Sequence, residues 1–462
     1  MFPTQPEVVT RNPYTGEELS RYPTHDPKGV ELALVQTHGA AEVWRTTPLA
    51  TRLNLVRNTG KLLRERREEY AALITREMGK PITESVAEIE KCAWNCEVVA
   101  DQAPGWLADQ EIAGGHSRSW VSYEPVGVVF AVMPWNYPFW QVIRACTGAI
   151  AAGNAILLKH GPDVTGAALA LERLFADAGA PVGLLRSIVV AAPDVAEVSE
   201  LVIRDPRVAA VTLTGSEQAG VAVASIAASE IKRSVLELGG SDPFLVLADA
   251  DIEATAAAAV KSRFGNVGES CIAGKRFIVH EAVADAFVTT FVARVAALEV
   301  GDPMRASTTL GPMARPDLRD SLLRQIRATV EQGAKLITGG EAINAPGNFV
   351  EPTVLDFVGP GMTAFVEETF GPAAAIIRAR DDDHAVELAN DTSFGLGCAV
   401  WGETEHALAV GRRIRSGALF VNSVVASDPR LPIGGIGRSG YGRELSAEGI
   451  REFTNVRTVA VG

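Results

Sequence analysis

Cysteine is scarce in this chain. Five residues (Cys92, Cys96, Cys146, Cys271 and Cys398) in 462 are too few and too scattered for a disulfide framework. Cys92 and Cys96 stand four apart without a histidine or a second cysteine pair nearby, so no metal site is expected. Excess positive charge is also missing: the formal net charge is −13. Nucleic acid and anionic membranes need clustered lysine and arginine, so neither is an expected partner. A small anionic substrate stays open, because one local arginine can bind it. No apolar run reaches ~18 residues without a polar or proline break, which argues against a membrane span. The opening MFPTQPEVVTRNP lacks the basic start and apolar core of a signal peptide, and a soluble, cytoplasmic protein is expected. Low-complexity tracts are absent as well, since 43 Gly and 25 Pro are spread along the chain and punctuate turns.

What is present is an ordinary globular composition, 47% hydrophobic and 21% charged, which suits a soluble α/β protein and not a disordered one. The length exceeds one compact core and predicts two or three domains. Residues 1–25 read as irregular around the turn-rich NPYTG. Helical spacing of apolar residues dominates from about Pro27 to Leu107. VSYEPVGVVFAVM (121–133) is β-rich, and a helix-like stretch follows PWNYP. AILLK (155–159), SIVVA (187–191), Ala209–Leu213 and SVLELGG read as strands, with a helix over Gly166–Ala178 and a small-residue helix after TGSEQAG. Strands alternating with helices predict a parallel, doubly wound sheet. The alternation restarts after about residue 240 with PFLVLADA, RFIVH, KLITGG, AAIIRA and ALFVN, which predicts a second α/β domain.

Several residues carry candidate chemistry. Cys271 lies among small and polar residues in GESCIAG; a thiol needs an electropositive or dipolar setting to act as a nucleophile. Taken singly, a buried structural cysteine is the commoner case, and that reading is kept for the other four. Glu237 leaves the apolar strand LELGG beside two glycines, where a partly dry cleft raises a carboxyl toward useful base values. Asn136 in PWNYP sits in a proline-restricted loop that can present an amide donor to an oxyanion, or can be an Asx-turn residue. Lys159 ends AILLK, and Gly215-Ser216 precede a helix whose free N–H groups suit a pyrophosphate. Glu368 and Phe370 in EETFGP could hold a ribose diol and a flat ring. Each of these is common alone, and the first domain has no G-x-G-x-x-G.

Together the segments resemble the aldehyde dehydrogenase superfamily, from about Asn12 to the C-terminus. PWNYP, ILLKH, TLTGSEQAG, LELGG, GESC, EETFGP and PIGGIGRSGYGREL follow the family order. Asn136 and Lys159 stand 23 residues apart, and Glu237 and Cys271 stand 34 apart, both in family register. Within the superfamily, VLELGGSDPF, SCIAGKRFIVH and RSGYGRELSAEGIREF look most like short bacterial succinate-semialdehyde dehydrogenases.

The resemblance implies a Rossmann-like cofactor domain (1–108 and 128–236), an α/β catalytic domain (237–435), and a small β oligomerisation element with a C-terminal arm (109–127 and 436–462). It implies a homodimer or homotetramer. It further implies NAD(P)-dependent oxidation of a small aldehyde, most of all succinic semialdehyde; the alternative is a phosphono-, amino- or aliphatic aldehyde. Cys271 would attack the carbonyl, Asn136 and the Cys271 N–H would hold the oxyanion, and Glu237 would activate the hydrolytic water. Trp135, Lys159, Pro162, Gly215, Ser216, Glu368 and Phe370 would bind the cofactor.

The chain also departs from the family pattern. Glu269 replaces the usual glutamine two residues before the nucleophile; it would raise the thiol pKa if it faced the sulfur, and leave it alone if it pointed into a hydrogen-bond network. Pro162 stands where NAD-preferring relatives commonly carry a glutamate, which leans the expectation to NADP, or to dual use. Arg144 and Ser427 match the residues that grip the distal carboxylate in succinate-semialdehyde dehydrogenases; for Arg144 a structural helix role is the competing reading. The second arginine of some relatives is Gly265 here, and Arg430 is expected to add charge at the tunnel mouth.

Overall fold

The computed structural model describes residues 6–462. The segment expected to be irregular is instead a hairpin: β1 (Glu7–Arg11) and β2 (Glu18–Pro23) pair antiparallel across NPYTG. Alternation is visible in β1, where Val8 and Thr10 are buried, Val9 between them is half-buried and Glu7 and Arg11 are exposed, but five residues give a weak period-two signal. Residues 1–5 of that expectation lie outside the described residues. Four helices follow, Pro27–Trp44, Leu49–Glu65, Arg67–Met78 and Ile82–Trp106. Asp26 caps the first, its carboxylate accepting the Gly29 N–H at 2.7 Å with Pro27 in the first turn, the arrangement expected of a helix start.

β3 (Gln110–Glu111) and β4 (Arg118–Pro125) lead into the first large sheet: β5 (Val128–Val132), β6 (Ala155–Lys159), β7 (Leu185–Ile188), β8 (Val208–Thr214) and β9 (Arg233–Glu237). These five run parallel in the order β9-β8-β5-β6-β7. Helices cover both faces, so VVFAV and AILLK are apolar runs buried almost throughout, as parallel sheets require. β7 stops short of the expected 187–191 because Val189 leaves the sheet, exchanging bonds with the backbone N–H and ring of His25. The chain builds outward from β5 to β7 and then returns to lay β8 against the other side of β5. That reversal opens a crevice between the carboxyl ends of β5 and β8, where doubly wound folds bind ligands.

The second sheet contains β10 (Pro243–Val246), β11 (Arg276–His280), β12 (Lys335–Thr338), β13 (Thr353–Asp356), β14 (Ala373–Ala379), β15 (Gly397–Trp401) and β16 (Ala418–Val421). Their order is β12-β13-β14-β11-β10-β15-β16, parallel except for β12, which pairs antiparallel with β13. The C-terminal stretch then splits. β17 (Gly440–Tyr441) returns to the first sheet and pairs with β9 directly at Glu237. β18 (Thr454–Val461) pairs with β4 along eight positions, and β3 completes a three-stranded sheet. This is an α/β protein with two apolar cores, one around each large sheet. No described helix is long and apolar enough to cross a membrane.

Candidate active site

The crevice at the β5/β8 reversal fills with the residues that the sequence singled out. Trp135 and Asn136 lie in the loop leaving β5. Gly215 and Ser216 leave β8 and start the helix Glu217–Ser229, where the Ser216 hydroxyl accepts the Ala219 N–H at 3.3 Å. Glu237 ends β9. Cys271 precedes β11, and Glu368 and Phe370 precede β14, both strands of the second sheet. Thr214, Gly215, Ser216, Trp135, Asn136, Glu237, Cys271, Glu368 and Phe370 all line one cavity of about 390 Å³.

A left-handed turn sets the thiol. Asn266, Val267 and Gly268 have φ of 53°, 58° and 74°, an arrangement costly for a β-branched valine. At Gly268 a side chain would sit 2.4 Å from the Gly371 carbonyl oxygen. Buried Arg263 holds the turn, its Nη2 donating to the carbonyls of Gly268 (2.8 Å), Thr369 (3.2 Å) and Gly371. It thereby ties the thiol loop to the loop of Glu368 and Phe370. Lys275 makes a second tie: its Nζ donates to the carbonyls of Ser270 (3.0 Å) and Cys271 (2.7 Å) and pairs with Glu368 Oε1 at 3.0 Å.

The Asn136 amide donates to the Glu269 carbonyl at 3.1 Å, while Asn266 Nδ2 donates to the carbonyls of both Asn136 (3.0 Å) and Glu269 (2.9 Å). The oxyanion loop and the thiol loop are thus stapled together. The second Asn136 amide hydrogen is not used by this bond. Glu88 braces the same loop, its Oε1 accepting the N–H groups of Phe139 and Trp140 at 2.9 Å at the start of the helix Trp140–Ala152.

Glu237 is buried, and its Oε1 has no hydrogen-bond partner among the described residues. Burial, reinforced by the nearby Glu444 carboxylate and opposed by Arg144 and Arg443, pushes its pKa up to about 8. The β17 segment fixes it: Ser439 accepts the Leu238 N–H at 3.0 Å and donates its hydroxyl to the Gly239 carbonyl at 2.7 Å. Burial also pushes the Cys271 thiol up to about 11, with Arg144 and Lys275 pulling it down and Glu237 and Glu368 pushing it up. The resting thiol is therefore protonated at neutral pH, and the Arg144 and Lys275 charges are what ease its ionisation.

The crevice suits a dinucleotide. Gly215 and Ser216 stand at a helix N-terminus, which favours pyrophosphate. A side chain at Gly239 would lie 2.2 Å from Glu368 Oε2, so glycine is required where the carboxylate comes down. Glu368 Oε1 also accepts the Gly240 N–H at 3.1 Å. Trp135 and Phe370 face each other edge to face at 5.9 Å. Lys159 and Pro162 do not line this cavity; they stand past it at the end of β6, where Gly161 packs on Trp135. Lys159 is buried and forms no ion pair among the described residues, and desolvation lowers its pKa to about 8.

A second cavity of about 360 Å³ opens on the other side of Cys271. Glu84, Ala87, Glu88 and Lys91 line it from one face of the helix Ile82–Trp106, at helical spacing, opposite Lys261, Gly265, Val424, Val425 and Ser427. Arg144 lines it too, but its Nε is ion-paired with the buried Glu444 and its Nη2 reaches Thr214 Oγ1 at 3.5 Å. Ser427 accepts from Lys91 Nζ at 2.6 Å. One expectation changes here, and the alternative left open at Glu269 is decided. Arg430 does not line the cavity; it is exposed, paired with Asp428 at 2.6 Å and set over the Trp94 ring. Glu269 points away from the sulfur: both of its oxygens lie 3.2 Å from the Ala314 nitrogen, and burial holds its pKa well above the usual carboxylate range. Sequence reading had not singled out Lys91, Arg263, Lys275 or Glu444. Only the charge of Lys275 and Glu444, inside otherwise apolar or glycine-rich motifs, hinted at them.

A thiol between two cavities, one at a dinucleotide crevice, is suited to a cofactor-dependent oxidoreductase. The aldehyde dehydrogenase family model covers residues 3–459. This chain belongs to the aldehyde dehydrogenase family. Among relatives of this aldehyde dehydrogenase, the succinate semialdehyde dehydrogenase [NAD(P)+] Sad of Escherichia coli is 46% identical over 453 residues, covering 98% of this chain and 97% of the relative. Succinate-semialdehyde dehydrogenase [NADP(+)] 1 of Mycobacterium tuberculosis is 44% identical over 457 residues, covering 98% and 99%. The crystal structure of succinic semialdehyde dehydrogenase from Streptococcus pyogenes with NADP+ superimposes with a TM-score of 0.95 at 35% identity, covering 98% of this chain and 99% of that one.

Proposed function

We propose that this aldehyde dehydrogenase oxidises succinic semialdehyde to succinate with NADP or NAD, through a thiohemiacetal and then a thioester on Cys271. The observation that carries this reading is the position of Cys271, which lines both the dinucleotide crevice and the second cavity. Cofactor and aldehyde can then reach the same sulfur from opposite sides.

The residues supply the chemistry in sequence. The Cys271 thiol, eased toward ionisation by Arg144 and Lys275, gives its proton to solvent, and the thiolate adds to the aldehyde carbon. The new oxyanion meets the free amide hydrogen of Asn136 and the Cys271 N–H, donors already fixed by the Glu269 and Asn266 bonds. A nicotinamide dinucleotide, when bound in the crevice, supplies the hydride acceptor. Glu237, in its ionised form, then removes a proton from the water that hydrolyses the thioester, freeing the acid and the thiol. Glu368 and Lys275 hold each other beside the crevice, so the same contact that orients the ribose-binding carboxylate also anchors the Cys271 carbonyl.

The substrate assignment draws on the relatives, which are named for succinate semialdehyde, and on the cationic groups of the second cavity, Arg144 among them. NADP is favoured over NAD because position 162 is a proline and carries no carboxylate to repel a 2′-phosphate, while the neighbouring Asp163 is paired with Arg315 at 3.3 Å. The site is proposed to work in a cytoplasmic homodimer or homotetramer. Five free thiols suit a reducing compartment, and the open edge of β3 suits a partner chain. An NADPH- and NADH-coupled absorbance screen over carboxylated, phosphonylated, aminated and aliphatic aldehydes tests the assignment. Succinic semialdehyde with NADP should give the highest kcat/KM; equal turnover of butanal would overturn the substrate, and equal or better kcat/KM with NAD the cofactor preference.

A further inference from the structure

The aldehyde cavity holds a cation that the family resemblance did not point to. Five charged groups line the cavity, four in the wall and one at the rim, and most are already engaged. Glu84 accepts the Asn266 N–H at 2.7 Å. Glu88 is ion-paired with buried Lys80 and accepts two backbone N–H groups. Arg144 is paired with Glu444. Lys261 is exposed at the rim, where water screens it. Lys91 is different: it lines the cavity with Cys271, has no carboxylate partner among the described residues, and holds only the Ser427 hydroxyl (2.6 Å) and the face of Trp140 (4.5 Å).

We propose that Lys91, with Ser427 beside it, seats the distal carboxylate of the aldehyde and is the main source of selectivity for an anionic tail. This rests on the carboxylated-substrate reading above and names the group that enforces it. Arg144 then serves mainly to hold Glu444, and through it the field around Glu237. An ammonium that has lost water and found only a hydroxyl and a ring lacks a counter-charge, and an arriving carboxylate supplies one. The electrostatics agree. Burial first, then Arg144, lowers the Lys91 pKa to about 8, against weak support from Cys92, Glu88 and Asp428. Asp428 is itself held by Arg430, and Glu84 and Lys261 complete the charges facing the cavity. The free enzyme therefore offers a charged seat below about pH 8 and a neutral one above it. An arginine at position 91 would stay charged throughout.

The test is the ratio of kcat/KM for succinic semialdehyde to that for butanal, measured from pH 6.5 to 9.5 in wild type, K91M and K91R. Butanal turnover reports in each variant that the site is folded. In K91M the ratio should fall about 10- to 100-fold at pH 7, through KM for the semialdehyde and not through kcat. The wild-type ratio should decline above about pH 8, and K91R should keep it at pH 9.5. A K91M ratio equal to a high wild-type ratio would overturn the role of Lys91 and leave the substrate reading standing. A ratio that falls equally with pH in wild type and K91R would place the titration elsewhere and also overturn it. A wild-type ratio near unity would instead sink the carboxylated-substrate reading, and this proposal with it.

Discussion

Glu269→Gln separates two consequences that a carboxyl near a nucleophile is often assumed to share. The side chain is fully buried, and burial raises its pKa well above the usual carboxylate range, which favours the protonated form. The groups that move the Cys271 thiol are Arg144, Lys275, Glu237 and Glu368, and Glu269 is not among them. Replacing a neutral carboxyl by an amide of the same shape should therefore leave the pH optimum within a few tenths of a unit. Stability should respond differently. In the unfolded chain a glutamate ionises near 4.3, whereas the folded protein holds this proton to a higher pH. The native state thus binds more protons in the window between those two values, and stability falls as pH rises through it by about 1.4 kcal/mol per unit. The amide does not titrate. The free-energy difference between Glu269→Gln and wild type should then grow in the variant's favour as pH rises from 5 to 7. Urea unfolding of both proteins at pH 5, 6 and 7, with pH–rate profiles in parallel, reads both quantities. A stability difference that does not vary with pH would refute the neutral buried carboxyl. A pH optimum lowered by a full unit would show that Glu269 acts on the thiol after all.

Two further outcomes follow from the site. Asn136→Ala removes the side-chain donor from the oxyanion position and should lower kcat by about 10²- to 10³-fold; steady-state assays with unchanged kcat would place the oxyanion elsewhere. Pro162→Glu puts a carboxylate on the adenosine side beside Lys159 and should shift the NADP-to-NAD ratio of kcat/KM toward NAD by about tenfold or more; an unchanged ratio would mean that the 2′-phosphate does not reach this turn.

Much of this was readable in the sequence, for a physical reason. Asn136, Gly215, Ser216, Glu237 and Cys271 all sit where a strand or a tight turn ends, and such positions are written in short local motifs. The buried parallel strands were readable because both faces are apolar. Thr353–Asp356 and Gly397–Trp401 were not, being short and flanked by proline or glycine. The hairpin before residue 25 was missed for a similar reason. What stayed hidden depends on juxtaposition. Lys91 and Ser427 meet across 336 residues, and Arg144 and Glu444 across 300; no local pattern signals either. Arg144 matched a family substrate residue, but its internal pairing with Glu444 becomes visible only once β17 folds back on β9.

The central claim is that Cys271 carries the acyl group. In Glu237→Gln the general base for thioester hydrolysis is gone, which should slow turnover by about 10²- to 10⁴-fold while leaving the acylated enzyme to accumulate. Mixing this variant with succinic semialdehyde and NADP, quenching in acid and mapping the peptides by mass spectrometry is the direct measurement. A burst of about one NADPH per site, with one succinyl group on the peptide containing Cys271, is the predicted result. An acyl group on any other residue, or a full burst with no acyl group on Cys271, would contradict it.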